Sequence, residues 1–194
     1  MTHLNRDSLM TLERYAKERP QFRARVMAHK KNRTVHFGEH VMVIFEDELT
    51  IRYQIQEMLR VERIFEEEGI QDELDAYAPL IPDGTNWKAT MMIQFPDVDE
   101  RRRMLAQLIG IEDRVWVRVA EHDRVYAIAD EDLARETADK TSSVHFLRFE
   151  LASTMVSALK HGAVVEMGID HSACSVAADV APAVRDSLVG DLKG

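Results

Sequence analysis

Apolar positions give the first outline of the chain. From Ile51 to Phe65, at the helical angular step, Ile51, Ile55, Met58, Leu59, Val61 and Phe65 share one arc, while Tyr53, Gln56, Glu57, Arg60 and Arg63 lie outside it. The stretch YQIQEMLRVERIF therefore reads as one amphipathic helix, with Glu62 in the middle of its apolar arc. Upstream, Asp7 or Ser8 as N-cap and Leu9, Leu12 and Tyr15 as inward positions predict a helix interrupted at Pro20. A second helical run follows, with Phe22, Val26 and His29 on one side. Arg33 to Phe37 and Val41 to Phe45, joined through Gly38 and Glu39, read as a β-hairpin. An acidic stretch around Glu66 to Asp75 holds a short helix, and Pro79, Pro82 and Asp83-Gly84 end that region in a turn.

From Trp87 the period changes from helical to two. Trp87, Ala89, Met91, Ile93 and Phe95 alternate with Lys88, Thr90, Met92 and Gln94. Asp99 to Ile109 then reads as a helix ending at Gly110, and Arg114 to Ala120 and Arg124 to Ala129 as strands around the turn Glu121-His122-Asp123. Val144 to Leu151 is a strand, Ser153 to His161 a helix ending at Gly162, Ala163 to Ile169 a strand, and Asp179 to Leu192 a last helix. This order predicts an α+β fold: an antiparallel or mixed sheet with helices packed on one face, plus a helical N-terminal segment. The two β-α-β units have the order of an internal duplication, but too little residue identity to claim one. The expected division is a basic helical segment over residues 1–32 and one α+β domain over 33–194.

Charge sharpens the N-terminal picture. Residues 1–33 hold nine Lys/Arg against three Asp/Glu, and the remainder 16 against 31, within a net charge of -9. Arg19, Arg23, Arg25, Lys30, Lys31 and Arg33 could line a basic stripe for phosphate, for an acidic partner or for the chain's own acidic body. The overall balance argues against general nucleic-acid binding. No apolar run reaches the roughly 20 residues of a membrane span, no signal peptide opens the chain, and one cysteine, Cys174, fits a cytoplasmic protein without internal disulfides.

Candidate chemistry follows from residues that sit against the pattern. Glu62 has Met58, Leu59, Phe65 and Glu66 at its helical neighbour positions, so a buried Glu62 needs an arginine, a histidine or a metal from elsewhere in the fold. Glu57 and Gln56 can both reach Arg60. His145 shares the apolar face of Leu147, Phe149 and Leu151, with Arg148 and Glu150 on the other; it is either a satisfied core group or a ligand. Asp170-His171-Ser172-Ala173-Cys174 gathers three reactive side chains past a strand end. His36 and His40 flank the hairpin turn as an incomplete metal pair. HExxH, G-x-G-x-x-G, G-x-x-x-x-G-K-[ST] and G-x-S-x-G are all missing from the sequence, which disfavours the chemistries they carry.

The segments FEDELTIRYQIQEMLRVERI, DELDAYAPLIPDGTNWKATMMIQF and TSSVHFLRFEL with GIDH resemble the bacterial domain-of-unknown-function family 3501 over nearly the whole chain, QEMLRVERI being the most specific part. The resemblance implies no established activity. It implies a role beside redox or peroxide defence, because the family's genes lie next to those of a rubrerythrin-like diiron protein and an iron-sulfur oxidoreductase. The family's patterns point to Gln56, Glu57, Met58, Arg60, Glu62, His145 and His171. Two readings result: an accessory protein that docks on a diiron or iron-sulfur redox partner, or pairs with itself as a homo-oligomer; and a metal- or small-anion-binding enzyme or sensor using Glu57, Arg60, Glu62, His145 and His171. The metal candidates are Glu62, His145 and His171, and the cofactor is left unknown.

Overall fold

Thr11 opens the first helix by accepting the Arg14 amide, and α1 (Leu12–Lys31) runs unbroken through Pro20 in the computed structural model, which describes residues 4–132, 135 and 137–193. The start expected at Asp7 or Ser8 and the break expected at Pro20 are both corrected. Asn5 caps only a short 3₁₀ turn, Arg6–Ser8. A proline inside a helix removes one hydrogen bond and costs about 3 kcal/mol. Here the carbonyl it leaves without a partner belongs to Ala16, on the exposed side, while Tyr15, Phe22 and Val26 keep one buried face on both sides of the proline. Phe22 meets Tyr15 and Tyr53 with ring centroids 6.1 Å apart in each pair.

Asp47 caps α2 (Glu48–Val61), accepting the Thr50 amide while the Thr50 hydroxyl accepts from the Asp47 amide. The helix starts earlier than the expected Tyr53 and stops before Phe65. Arg63 takes φ 56° and the Ile64 amide donates to the Leu59 carbonyl at 2.9 Å, a Schellman turn closed without glycine. Glu62 is thus the C-cap residue and exposed, as are Val61 and Phe65. The buried carboxylate expected in the apolar arc is corrected: the arc ends before it. Ile51, Ile55 and Leu59 pack on Ile70 and Leu74 of α3 (Glu67–Tyr77), and Tyr53 faces α1, so α2 is buried on two sides.

The basic stripe is broken up by the same packing. Arg19 pairs with Glu57, Arg25 and Lys30 lie over the rings of Phe22 and Tyr53, and Arg33 is buried. Of the six, Arg23 and Lys31 are among those left exposed.

The hairpin forms as expected from β1 (Thr34–Phe37) and β2 (Val41–Phe45). There follow β3 (Asn86–Ile93), α4 (Val98–Gln107), β4 (Val115–Val119), β5 (Val125–Tyr126), β6 (Ile128–Ala129), β7 (Val144–Glu150), α5 (Ser153–Lys160), β8 (Val165–His171), β9 (Cys174–Asp179) and α6 (Pro182–Val189). The fold is α+β and the pairings are antiparallel, but they build two sheets, ordered β1-β2-β3-β7-β6 and β5-β4-β8-β9. The alternating segment Arg124 to Ala129 is divided at Ala127, whose amide donates to the Val115 carbonyl at 2.8 Å. Val125 and Tyr126 therefore pair with β4, and Ile128 and Ala129 with β7. β9 went unanticipated, and the last helix begins at Pro182 rather than Asp179.

The β-α-β units β3-α4-β4 and β7-α5-β8 each leave the first sheet and enter the second. They lie side by side, β3 antiparallel to β7 and β4 antiparallel to β8. Alternate residues of both sheets, among them Phe45, Trp87, Met91, Phe149, Val117 and Met167, share one core with Leu105, Leu159 and Leu188 from the last three helices. No helix among the described residues is long and apolar enough to cross a membrane.

Trp116 is buried on the second sheet's other face, directly across from Gly168. A Cβ on Gly168 would lie 2.4 Å from the indole and 2.6 Å from the Val176 carbonyl, with no flexible chain end to yield. Gly168→Ala is expected to cost about 2 kcal/mol or more from overpacking, read as a lower urea midpoint at unchanged m-value. Wild-type stability in that variant would show that the indole is free to shift.

Candidate functional site

The polar residues of α2 form a seam with α1. Gln56 is wholly buried, its Oε1 accepting the Met10 amide at 2.6 Å and its Nε2 donating to the Met10 carbonyl at 3.4 Å. Glu57 accepts from the Tyr15 hydroxyl at 2.6 Å, from Arg19 through Nε at 2.7 Å and Nη2 at 2.8 Å, and from Arg60 at 3.3 Å. These donors, Arg19 foremost, hold its carboxyl down at about 2. Glu57 thus ties α2 to α1, and Gln56 ties it to the segment just before α1.

The other candidates are dispersed. Glu62 is exposed, and Glu57 bonds to Arg60 and to α1. At the β8–β9 hairpin His171 donates from Nε2 to the Ile109 carbonyl at 3.0 Å and accepts the Ala173 amide at Nδ1, so its lone pair is not offered to Cys174 across the ladder. Burial pushes the Cys174 thiol up, against the lowered value an activated thiolate needs. His40 stacks on Phe95 at 4.1 Å and donates to the Gln94 carbonyl, and His36 is exposed. The pocket of Glu57, Arg60, Glu62, His145 and His171 is not assembled.

His145 is wholly buried, as its alternating face implies. Its Nδ1 donates to Asp130 Oδ2 at 2.6 Å; its Nε2 lies 2.9 Å from Thr141 Oγ1, 3.1 Å from the Ser142 carbonyl and 3.8 Å from Glu112 Oε2. Asp130 Oδ1 accepts the Phe146 amide at 2.9 Å and Arg135 Nε at 3.1 Å, from a backbone in the left-handed region at φ 49°. A non-glycine residue held there stores about 1–3 kcal/mol of strain.

On the outer face of the same strand lies a cleft of about 550 Å³, roofed by Pro79 and Leu80. Because side chains alternate along a strand, β7 sends His145 inward and Phe146, Arg148 and Glu150 to this wall. Arg148 grips Glu131 through two 2.7 Å hydrogen bonds and also contacts Glu150. That grip lowers the Glu131 carboxyl. Asn86 donates at 3.0 Å to both Asp83 and Glu150, and Lys88 donates to the Pro79 carbonyl at 2.5 Å. The wall carries Asp83, Glu131, Asp132 and Glu150 against Lys88 and Arg148, an excess of carboxylates. Beside it the Arg135 guanidinium lies 4.5 Å from the Phe146 ring centroid and contacts Asp132. The alternation of β7 puts Arg148 and Glu150 on one face, whereas the roof and Glu131 come from distant segments with no local signal.

The model of the family described as "Protein of unknown function (DUF3501)" matches residues 3–192. A solved structure from Burkholderia pseudomallei K96243, titled a novel protein of unknown function, is similar over 99% of this chain and 100% of its own, with 58% identity and a TM-score of 0.94. Comparison with curated proteins finds no match.

Proposed function

We propose that this chain, which belongs to the DUF3501 family, works in the cytoplasm as a binding protein that takes a small organic cation, an amine or guanidine, into the cleft over β3 and β7. The observation that carries the reading is the guanidinium of Arg135 seated on Phe146 beside Asp132, with further carboxylates along the same wall. An aromatic face with nearby carboxylates attracts a cation by its quadrupole and by charge. The small-anion reading, built on Arg60 and its neighbours, finds less support, since Arg60 pairs with Glu57 and, in the cleft, Arg148 is taken by Glu131 and Glu150. The accessory role beside a redox or peroxide-defence system, implied by the family resemblance, then rests on ligand occupancy rather than on the α2 face, whose Gln56 and Glu57 are engaged internally, or on a basic stripe from which Arg19 and Arg33 are withdrawn.

Calorimetric titration with agmatine, putrescine and spermidine, and with succinate as the anionic control, tests this. Saturable binding of at least one cation is expected, weakened about tenfold by Phe146→Ala through loss of the cation–π contact. Heat from succinate alone, or from none of the four, would remove the cleft from consideration.

A further inference from the structure

The His145 cluster is a different site on the opposite face of β7, and its inference stands apart from the cleft reading. Among the described residues, one ligand atom each from buried Glu112, half-buried Asp130 and buried His145 lie within 4.8 Å of one another. We infer that Glu112 and His145 Nε2, with the Thr141 hydroxyl and the Ser142 carbonyl, form a binding site for one divalent transition-metal ion. Two donors each about 2.1 Å from a common ion can stand up to about 4.2 Å apart. The separations around Nε2, 2.9 Å to Thr141, 3.1 Å to Ser142 and 3.8 Å to Glu112, and the 3.3 Å between Thr141 and Glu112, all fall inside that limit.

Asp130 supplies the second, independent observation. A metal-bound histidine holds its orientation by donating its other ring N–H to a carboxylate. Nδ1 makes that bond to Asp130 Oδ2 at 2.6 Å, and Asp130 is itself fixed by the Phe146 amide, by Arg135 and by a strained backbone. Asp130 is therefore a positioning residue. With its Nδ1–H held on Asp130, the imidazole coordinates through the Nε2 lone pair. One imidazole among oxygen donors, without a thiolate, suits manganese or ferrous iron better than softer ions.

The test uses the full chain without an affinity tag, unfolded in denaturant with EDTA, refolded, loaded separately with manganese, ferrous iron under argon or zinc, and dialysed. Retention of about one manganese or iron ion per chain is expected, with a Tm rise of about 5 °C or more. Because the donors are buried, the ion should survive dialysis and leave only on unfolding. Echo-detected paramagnetic resonance of the manganese form should show a single imidazole nitrogen coupling, a readout that needs no variant. His145→Ala and Glu112→Gln should abolish retention, and Asp130→Asn should weaken it about 10–100-fold. Refolded wild type that holds none of the three metals would make the cluster a hydrogen-bond network only. Undiminished retention in His145→Ala, or no nitrogen coupling, would overturn the site just as firmly.

Discussion

Replacing Arg33 by alanine is expected to cost about 3–5 kcal/mol of folding stability, the range for stranding one side of a buried ion pair. Arg33 is 1% exposed and fully engaged. Its Nε donates to the Phe45 carbonyl at 2.9 Å and Nη2 to the Glu46 carbonyl at 3.0 Å. The same Nη2 reaches Asp191 at 2.5 Å, and Nη1 lies 3.2 Å from Ser187 Oγ and 3.5 Å from Asp47. One guanidinium thus joins the end of β2, the cap of α2 and the segment after α6. Burial holds the Asp191 carboxyl above its usual range even with Arg33 beside it, and Asp47 adds to that push. Without the arginine, two carboxylates and two carbonyls lose their shared donor. Lysine offers one point charge in place of a fork and should recover little. Urea unfolding followed through the fluorescence of Trp87, whose indole N–H donates to Leu188 of α6 at 3.0 Å, measures the loss. Arg33→Met combined with Asp191→Leu should return part of it, because the carboxylate nearest the arginine goes with it while Asp47 keeps His29 at 2.5 Å. A single-variant cost under about 1 kcal/mol would place Arg33 with ordinary surface pairs.

Arg33 had looked like one more cation in a charged stretch, which shows where local reading stops. Periodicity located the β1–β2 hairpin, β3, β7 and α5 within a residue or two, because alternation and helical stripes are local consequences of burial. It also turned His145 inward. It misplaced Glu62 for an equally physical reason: helices often end on a glycine in the left-handed position, and here that position is filled by Arg63, so the wheel was extended past the real end. Pro20 misled in the opposite direction, since the orphaned carbonyl faces water and the apolar face continues beyond it. The segment that became β5 and β6 alternates along its length, and nothing local tells that its halves pair with different sheets. The partners of His145, which are Asp130, Glu112 and Thr141, are brought in by loops whose paths depend on that division.

Glu57 supplies a large expected pH effect on the acid side. Its carboxyl lies near 2 in the folded protein against 4.5 in an unperturbed chain, chiefly through the hydrogen bonds from Arg19, then Tyr15 and Arg60, working against the cost of burial. A carboxylate whose folded value is depressed stabilises the fold above its unfolded value, and that contribution drains away as pH falls toward the folded one. At 1.36 kcal/mol for each pH step of separation, the ceiling is about 3 kcal/mol, fully present above pH ~5 and lost between about 4.5 and 2. Glu57→Gln keeps an acceptor for the Tyr15 hydroxyl but cannot answer both nitrogens of Arg19 with charge. The variant should therefore be less stable than wild type by about 2–3 kcal/mol at pH 7, and the two curves should converge only at about pH 2 and below. Denaturant unfolding at a series of pH values separates this from a packing defect, which would hold the curves apart by a constant amount at every pH. Parallel curves would mean that the α1–α2 seam is held by Gln56 and the Tyr15–Phe22–Tyr53 rings, with the ion pair adding little.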